Sequence, residues 1–209
     1  AGPMPLADIN FYNKISDTDF RKLSWKAPAG SVLEGKNTYI DTATGAALPE
    51  YASLKFRPGS GNMSDFNVGS ACSYPMMRVE EMYFIEAEAA AQQNPAQGVN
   101  LLNDFMSNYR DPQYKCTKSS KEDVVKEIVF QKRVELWGEG QSFFDIKRLN
   151  LPVTRGYAGT LHHTIGRFNT TTRPAWMNFC IVRSEGNNNT ALVGFENPDP
   201  SDVYSSWAE

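Results

Sequence analysis

Residues 126–150, reading KEIVFQKRVELWGEGQSFFDIKRLN, constrain the fold more than any other stretch: a long amphipathic helix has to stop at Gly138 and Gly140 and restart almost at once. Glycine readily takes the left-handed conformation that a helix C-terminal cap requires, so the break falls there. Before it, Ser119 and Ser120 precede Glu122 and Asp123 at the spacing of a capping box, which predicts where the helix begins. Val125, Ile128, Val129 and Leu136 form one apolar stripe and Phe130, Val134 and Trp137 a second, so this helix is expected to lie between two layers. Glu127, Gln131 and Glu135 mark the face expected to meet solvent. After the break, Phe143, Phe144, Ile146 and Leu149 anchor a short helix. Asp145 and Arg148 are spaced to pair along it, and Pro152 ends it.

Upstream, YPMMRVEEMYFIEAEAAAQQ holds strong helix formers throughout and a proline in its first turn. Met76, Val79, Tyr83 and Ala87 recur at helical spacing and are expected to face inward. Met77 with Phe84, and Met82 with Ile85 and Ala89, place apolar side chains on other faces too, as suits a helix with neighbours on several sides. Asn94-Pro95 then supplies an N-cap and a first-turn proline for a second helix, whose inward stripe reads Val99, Leu102, Phe105 or Met106, and Tyr109. So short a turn makes the two helices antiparallel. Residues 78–111 span about the 34 residues of a tetratricopeptide helix hairpin, with small residues at 87–91 where the helices must approach closely.

The flanks are less regular. Residues 16–23 carry a short helix signal, with Ser16 as cap and Asp19 at the capping-box position. Residues 38–41 and 53–57 alternate enough for short strands or hairpin arms, bounded by the breakers GAALPE and RPGSGNMSDFNVGS. From Val153 onward the chain is rich in Gly, Asn, Thr and Pro and is expected to be irregular.

With 209 residues, 41% hydrophobic and 22% charged, the chain has ordinary globular composition and the length for one substantial domain or two small ones. A net charge of -3 gives no electrostatic footprint for nucleic acid, and the basic residues form no stripe suited to a membrane surface. No run approaches the roughly 18 apolar residues of a membrane span, and the first residues, AGPMPLADINFYNK, lack the pattern of an export signal. Cys72, Cys116 and Cys180 are far apart with no CxxC, so neither a zinc site nor a redox motif is supported; Cys180 reads as a buried apolar residue. His162 and His163 are adjacent, not at the i, i+4 spacing that chelates a metal from a helix. Glu135 with Glu139, or the acids Glu80, Glu81, Glu86 and Glu88, meet the spacing of a glycosidase pair, but such helical acids beside Arg78, Lys132 and Arg133 read as solvated or salt-bridged. Asn62, Asn169 and Asn188 fit the glycosylation acceptor pattern, which is common by chance. Aromatics are concentrated in Gly, Asn, Ser and Pro-rich segments, where they either pin loops to the body or offer faces on which a sugar ring can stack.

Taken in order, FYNKISDTDFRKLSW, YPMMRVEEMYFIEAEAAA with its following helix, EIVFQKRVELWGEGQSFFDIKRLN and FCIVRSEGNNN closely resemble the C-terminal half of SusD/RagB-type outer-membrane lipoproteins. The resemblance covers nearly the whole chain. It implies a mainly α fold of tetratricopeptide-like helix hairpins with long irregular loops and a few short strands. It also implies a surface-exposed, non-catalytic binding protein of Bacteroidetes-type bacteria that captures oligosaccharides or other nutrients. Its partner would be a SusC-like TonB-dependent transporter, over which it acts as a lid. No cofactor, metal or nucleic acid is implied, and the location would be the outer membrane at the cell surface. These 209 residues are about half the family's usual length, with no lipid-attachment cysteine at their start and no counterpart of the N-terminal helical repeats, as expected of either a fragment of a longer chain or a shortened member.

The organisation this suggests is one SusD-like domain over residues 1–209, with a loop-rich ligand region at 1–73, a helical scaffold at 74–150 and an irregular tail at 151–209. Arg133, Glu135, Trp137, Phe143, Phe144, Asp145 and Arg148 would then be scaffold. Ligand contacts would fall to Tyr12, Trp25, Asn37 and Tyr39, aromatic and amide side chains in exposure-prone sequence. The alternative from a different class is a helical protein-interaction module that presents a groove to a partner protein and has no glycan site in this portion.

Overall fold

The computed structural model describes residues 5–37, 47–56 and 72–195, and the chain divides into two units, Ala1–Gln141 and Ser142–Glu209. In the first unit, Asp8 accepts the amide of Phe11 and starts helix α1 (Ile9–Asn13). A 3-10 turn follows at Phe20–Ser24, capped by Asp19 through the amide of Arg21. The sequence placed a cap at Ser16. Ser16 Oγ instead accepts the amide of Thr18 in a tight turn, and Asp19 takes the capping role.

Three long helices carry the unit: α2 (Val79–Gln93), α3 (Pro95–Tyr109) and α4 (Lys121–Glu135). Asn94 ends α2 and caps α3, its side chain accepting the amide of Ala96, so a single residue turns the chain and forces the pair antiparallel. Ser120 caps α4 by accepting the amide of Asp123, as its sequence predicts. Helix α4 packs against both members of the pair.

The faces turned inward differ in part from the periodicity reading. Phe84, Ala87, Glu88 and Ala91 are the buried face of α2, while Met76, Val79 and Tyr83 of the expected stripe are exposed. An apolar run on more than one face cannot say which face meets α3 and α4. On α3 the buried residues are Gly98, Leu102, Phe105 and Met106, with Tyr109 exposed. On α4 both apolar stripes are buried or half-buried, but so are Gln131 and Glu135, which the sequence assigned to solvent.

Among the described residues of the first unit, extended structure is reduced to the isolated antiparallel bridges Leu6 with Ala52 and Trp25 with Ser53; the expected strand at 38–41 lies outside them. The second unit begins with α5 (Gln141–Arg148), where Arg148 reaches back to Asp145 at 2.8 Å, the pairing that their spacing predicts. Phe143 packs edge-on against Phe144 and face-on against Phe179. A bridge between Thr154 and Asn169 is reinforced by the Asn169 side chain, which accepts the amides of Arg155 and Gly156 and donates to the Gly156 carbonyl. A short helix, α6 (Arg183–Asn188), follows. Cys180 is exposed in this unit, not buried as its apolar neighbours suggested.

Candidate functional site

Tyr12 and Trp25, two of the residues expected to meet ligand, are 2% and 1% exposed. They belong to a core of Ala7, Phe11, Ile15 and Val134, against which Tyr51, Phe130 and Trp137 pack. The rings meet edge to face: Trp25 contacts Phe11 and Trp137 with centroids 5.7 Å apart, and Tyr12 contacts Tyr51 at 5.2 Å. Neither Tyr12 nor Trp25 leaves a ring face on which a sugar could stack. Burial, with the Asp17 and Tyr51 charges adding to it, pushes the Tyr12 phenol up to about 12. Its hydroxyl and Trp25 Nε1 have no hydrogen-bond partner among the described residues. Asn37 is half-buried, and its Nδ2 donates to the Leu23 carbonyl. Tyr39 lies outside the described residues.

Beside this core sits a buried charge cluster centred on Glu135. Arg110 grips the carboxylate with two donors, at 2.7 and 2.9 Å, Arg78 reaches it at 3.0 Å, and Arg21 at 3.2 Å. Burial pushes the Glu135 carboxyl up, but the Arg110 hydrogen bonds, the Arg21 and Arg110 charges and the Arg78 hydrogen bond overcome it and hold the group at about 2. Such a carboxylate is fixed in its ionised form and cannot donate a proton at neutral pH. Arg21 also binds Asp19 and the Gln131 side chain, which ties the N-terminal turn to α4. Arg110 extends the cluster to Glu80 at 3.0 Å.

The C-terminal end of α4 is capped by cations from distant sequence. Lys55 Nζ donates to the carbonyls of Glu135 at 2.9 Å and Trp137 at 3.0 Å and to the Glu139 carboxylate, while Arg78 donates to the Glu135 carbonyl at 2.7 Å. Positive charge placed there satisfies orphan carbonyls and complements the helix dipole. Burial lowers the Lys55 ammonium despite its bond to Glu139. At the break itself, Gly138 has φ +78° and the Phe56 ring lies where a Cβ would stand, so both backbone conformation and space demand glycine. Phe56 stacks on Tyr74 at 4.5 Å, and the Tyr74 hydroxyl closes the arrangement by donating to the Gly138 carbonyl at 3.0 Å.

On another side of the same unit a cleft of about 480 Å³ opens between the N-terminal turn and α4. Lys14, Ser16, Tyr114, Asp123, Lys126 and Gln131 are among its lining residues, with Phe130 as an aromatic wall. Its floor is fixed by Thr18 donating to Asp111 at 2.9 Å and by Tyr114 donating to Glu127 at 2.8 Å. Burial and then the Glu127 charge push the Tyr114 phenol far above its ordinary range, so it stays a neutral hydroxyl. Amide, hydroxyl, carboxylate and ammonium groups in one concavity suit a neutral, hydroxyl-rich ligand better than an ion of either sign. Elsewhere His163 Nδ1 accepts the amide of Ile165 and caps a short turn. Among the described residues, no group of His, Cys, Asp and Glu is placed to hold a metal, and no helix is long and apolar enough to cross a membrane.

Sequence reasoning missed Lys55, Arg21, Arg110 and the Phe56–Tyr74 pair. The available signal was Glu135 itself, a carboxylate between the apolar neighbours Val134 and Leu136 on a helix apolar on two sides, where a buried charge needs cationic partners.

The first unit is mainly helical: an antiparallel hairpin, a third long helix packed on it, and ion pairs at their junction. The chain matches the model of the SusD family over residues 24–197 and belongs to that family. It also superposes on the crystal structure of a SusD-like carbohydrate binding protein from Bacteroides vulgatus ATCC 8482, with a TM-score of 0.62 and 23% identity over 96% of this chain. That likeness is one of fold. The chain spans 43% of that protein's length, less than half of it. Among curated proteins none matches this chain.

Proposed function

We propose that this chain is the scaffold-bearing portion of a non-catalytic protein that captures oligosaccharides at the bacterial cell surface and hands them to a SusC-like TonB-dependent transporter. The observation that carries the reading is membership of the SusD family over residues 24–197. The carbohydrate binding named for the Bacteroides vulgatus relative supports it. So does the commitment of the acids that could have served catalysis: Glu135 and Glu139 are held by Arg78, with Lys55 or Arg110 as further partners. Tyr12 and Trp25 serve this function as the core that positions the loops. Contact with the sugar is assigned to Asn37 and Tyr39 and to the cleft beside α4, whose rim residues Lys14, Asp123 and Lys126 are exposed.

Isothermal titration against a panel of oligosaccharides tests the reading. Binding without turnover is expected, weakened at least several-fold by Asp123→Ala with Lys126→Ala or by Asn37→Ala with Tyr39→Ala. Failure of every glycan to bind a correctly folded protein, or release of shortened sugars, would remove it. Co-purification with a SusC-like TonB-dependent transporter from the same organism tests the second half of the proposal.

A further inference from the structure

The part of α4 that lines the cleft repeats at helical spacing: Asp123, Glu127, Phe130 and Gln131 stand at i, i+4, i+7 and i+8. Four carboxylates line the cleft, and they are not equivalent. Asp19 gives both oxygens to Arg21, and Asp111 gives one to the Thr18 hydroxyl and the other to the amide of Gln113. Asp123 accepts the Ser120 hydroxyl at 2.7 Å and stands exposed to water. Glu127 is half-buried, and a single oxygen, Oε1, takes both of its protein donors, the Tyr114 hydroxyl and Gln131 Nε2, each at 2.8 Å. Among the described residues nothing donates to its Oε2.

The donors around Glu127 cannot turn to a ligand instead. Arg21 donates to Gln131 Oε1, which leaves the amide one orientation, with Nε2 toward Glu127. Tyr114 stays a neutral hydroxyl whose one proton is committed to Oε1. What remains for a ligand is therefore acceptor capacity, at Glu127 Oε2 and at the lone pairs of the Tyr114 oxygen. Sugar hydroxyls supply donors to both. A carboxylate on the ligand supplies none, and it meets the Glu127 charge in a half-buried place where screening is weak. A cation supplies donors but enters a cleft that holds Lys14, Lys118 and Lys126. Phe130, three residues beyond Glu127 and in edge contact with Phe11 at 5.9 Å, offers an aromatic partner to the apolar face of a sugar ring.

We infer that Glu127 selects the ligand of the cleft, accepting ring hydroxyls at Oε2 and excluding uronate units, so that the cleft takes neutral sugars. The inference rests on the proposed reading of the cleft as a glycan site. Titration calorimetry compares the hexamers of cellulose, mannan, xylan and amylose with those of polygalacturonate and polymannuronate. At least one neutral hexamer is expected to bind about tenfold or more tightly than either uronate, the effect of one hydrogen bond to a charged group. Glu127→Gln keeps the length of the side chain and an acceptor for Tyr114 but removes the charge. It is expected to weaken the neutral hexamer and bring the two classes to within about threefold of each other, with Tm close to that of the parent.

Uronates that bind the parent as well as or better than every neutral hexamer overturn the inference. So does a Glu127→Gln variant that weakens both classes by the same factor, because a purely structural role would do that, or one that changes neither. If none of the six hexamers binds while another glycan does, the selection by Glu127 falls and the proposed function stands. If no glycan binds the folded protein, both fall together.

Discussion

Arg78 holds Glu135 twice, through its carboxylate at 3.0 Å and through its main-chain carbonyl at 2.7 Å. Because Arg78 is the N-cap residue of α2 and Glu135 the last residue of α4, this one side chain fixes the start of the hairpin to the end of the crossing helix. Arg110, the C-cap of α3, completes the junction from the third helix. All three long helices therefore meet at one carboxylate.

Replacing that carboxylate leaves three guanidinium groups short of a counter-charge in a largely buried place. Glu135→Gln is expected to destabilise the fold by about 3–5 kcal/mol, the range for breaking a buried ion pair from one side. Chemical unfolding monitored by circular dichroism measures it. A loss under 1 kcal/mol would mean that the cluster is solvated and does not organise the helices.

The same group gives the fold an acid limit. Glu135 is held near 2 in the folded chain against an ordinary value of 4.5, so its contribution is complete above about 4.5 and is lost as pH falls from there through about 2. A displacement of this size corresponds to roughly 3 kcal/mol. Thermal unfolding followed between pH 6 and 2 should show Tm falling across that window, and less steeply in Glu135→Gln. Parallel profiles for the two proteins would assign the acid sensitivity to other carboxylates.

Trp25→Ala separates core from binding site. With the ring 1% exposed and edge-on to Phe11, Tyr12 and Trp137, its removal is expected to cost about 3–5 kcal/mol. Near-ultraviolet circular dichroism should lose its fine structure along with the stability. A variant of unchanged Tm that loses only glycan binding would return Trp25 to the surface.

The helices were legible because their signals are local: Ser120 before α4, Asn94-Pro95 between α2 and α3, and the Asp145–Arg148 spacing each act within one turn. The faces of those helices were not. Whether Tyr83 or Phe84 turns inward on an apolar helix depends on where α3 and α4 lie, which no window of sequence contains. Glu135 was assigned to solvent for the same reason, since Arg21, Arg78 and Arg110 reach it across 114, 57 and 25 residues of chain. Tyr12 and Trp25 illustrate the converse: irregular sequence does not mean exposed side chains, because a loop without backbone regularity is held down by the aromatics it buries.

Gly98 on α3 tests how closely the hairpin is packed. A Cβ there would stand 2.4 Å from the Cβ of Ala91, 2.8 Å from its Cα and 2.9 Å from the Ala87 carbonyl oxygen, so two of the three obstructions are backbone. In an open helical position, replacing glycine by alanine stabilises by about 1 kcal/mol. Gly98→Ala is expected to do the opposite and destabilise by about 1–3 kcal/mol, because α2 and α3 must move apart. Ala91→Gly removes only the first obstruction, so the double variant should lose less than the sum of the two single losses without regaining the parent's stability. Urea unfolding of the four proteins gives the coupling. A stabilising Gly98→Ala would show that the helices have room to separate at this point, and strictly additive losses would place the strain on the α2 backbone alone.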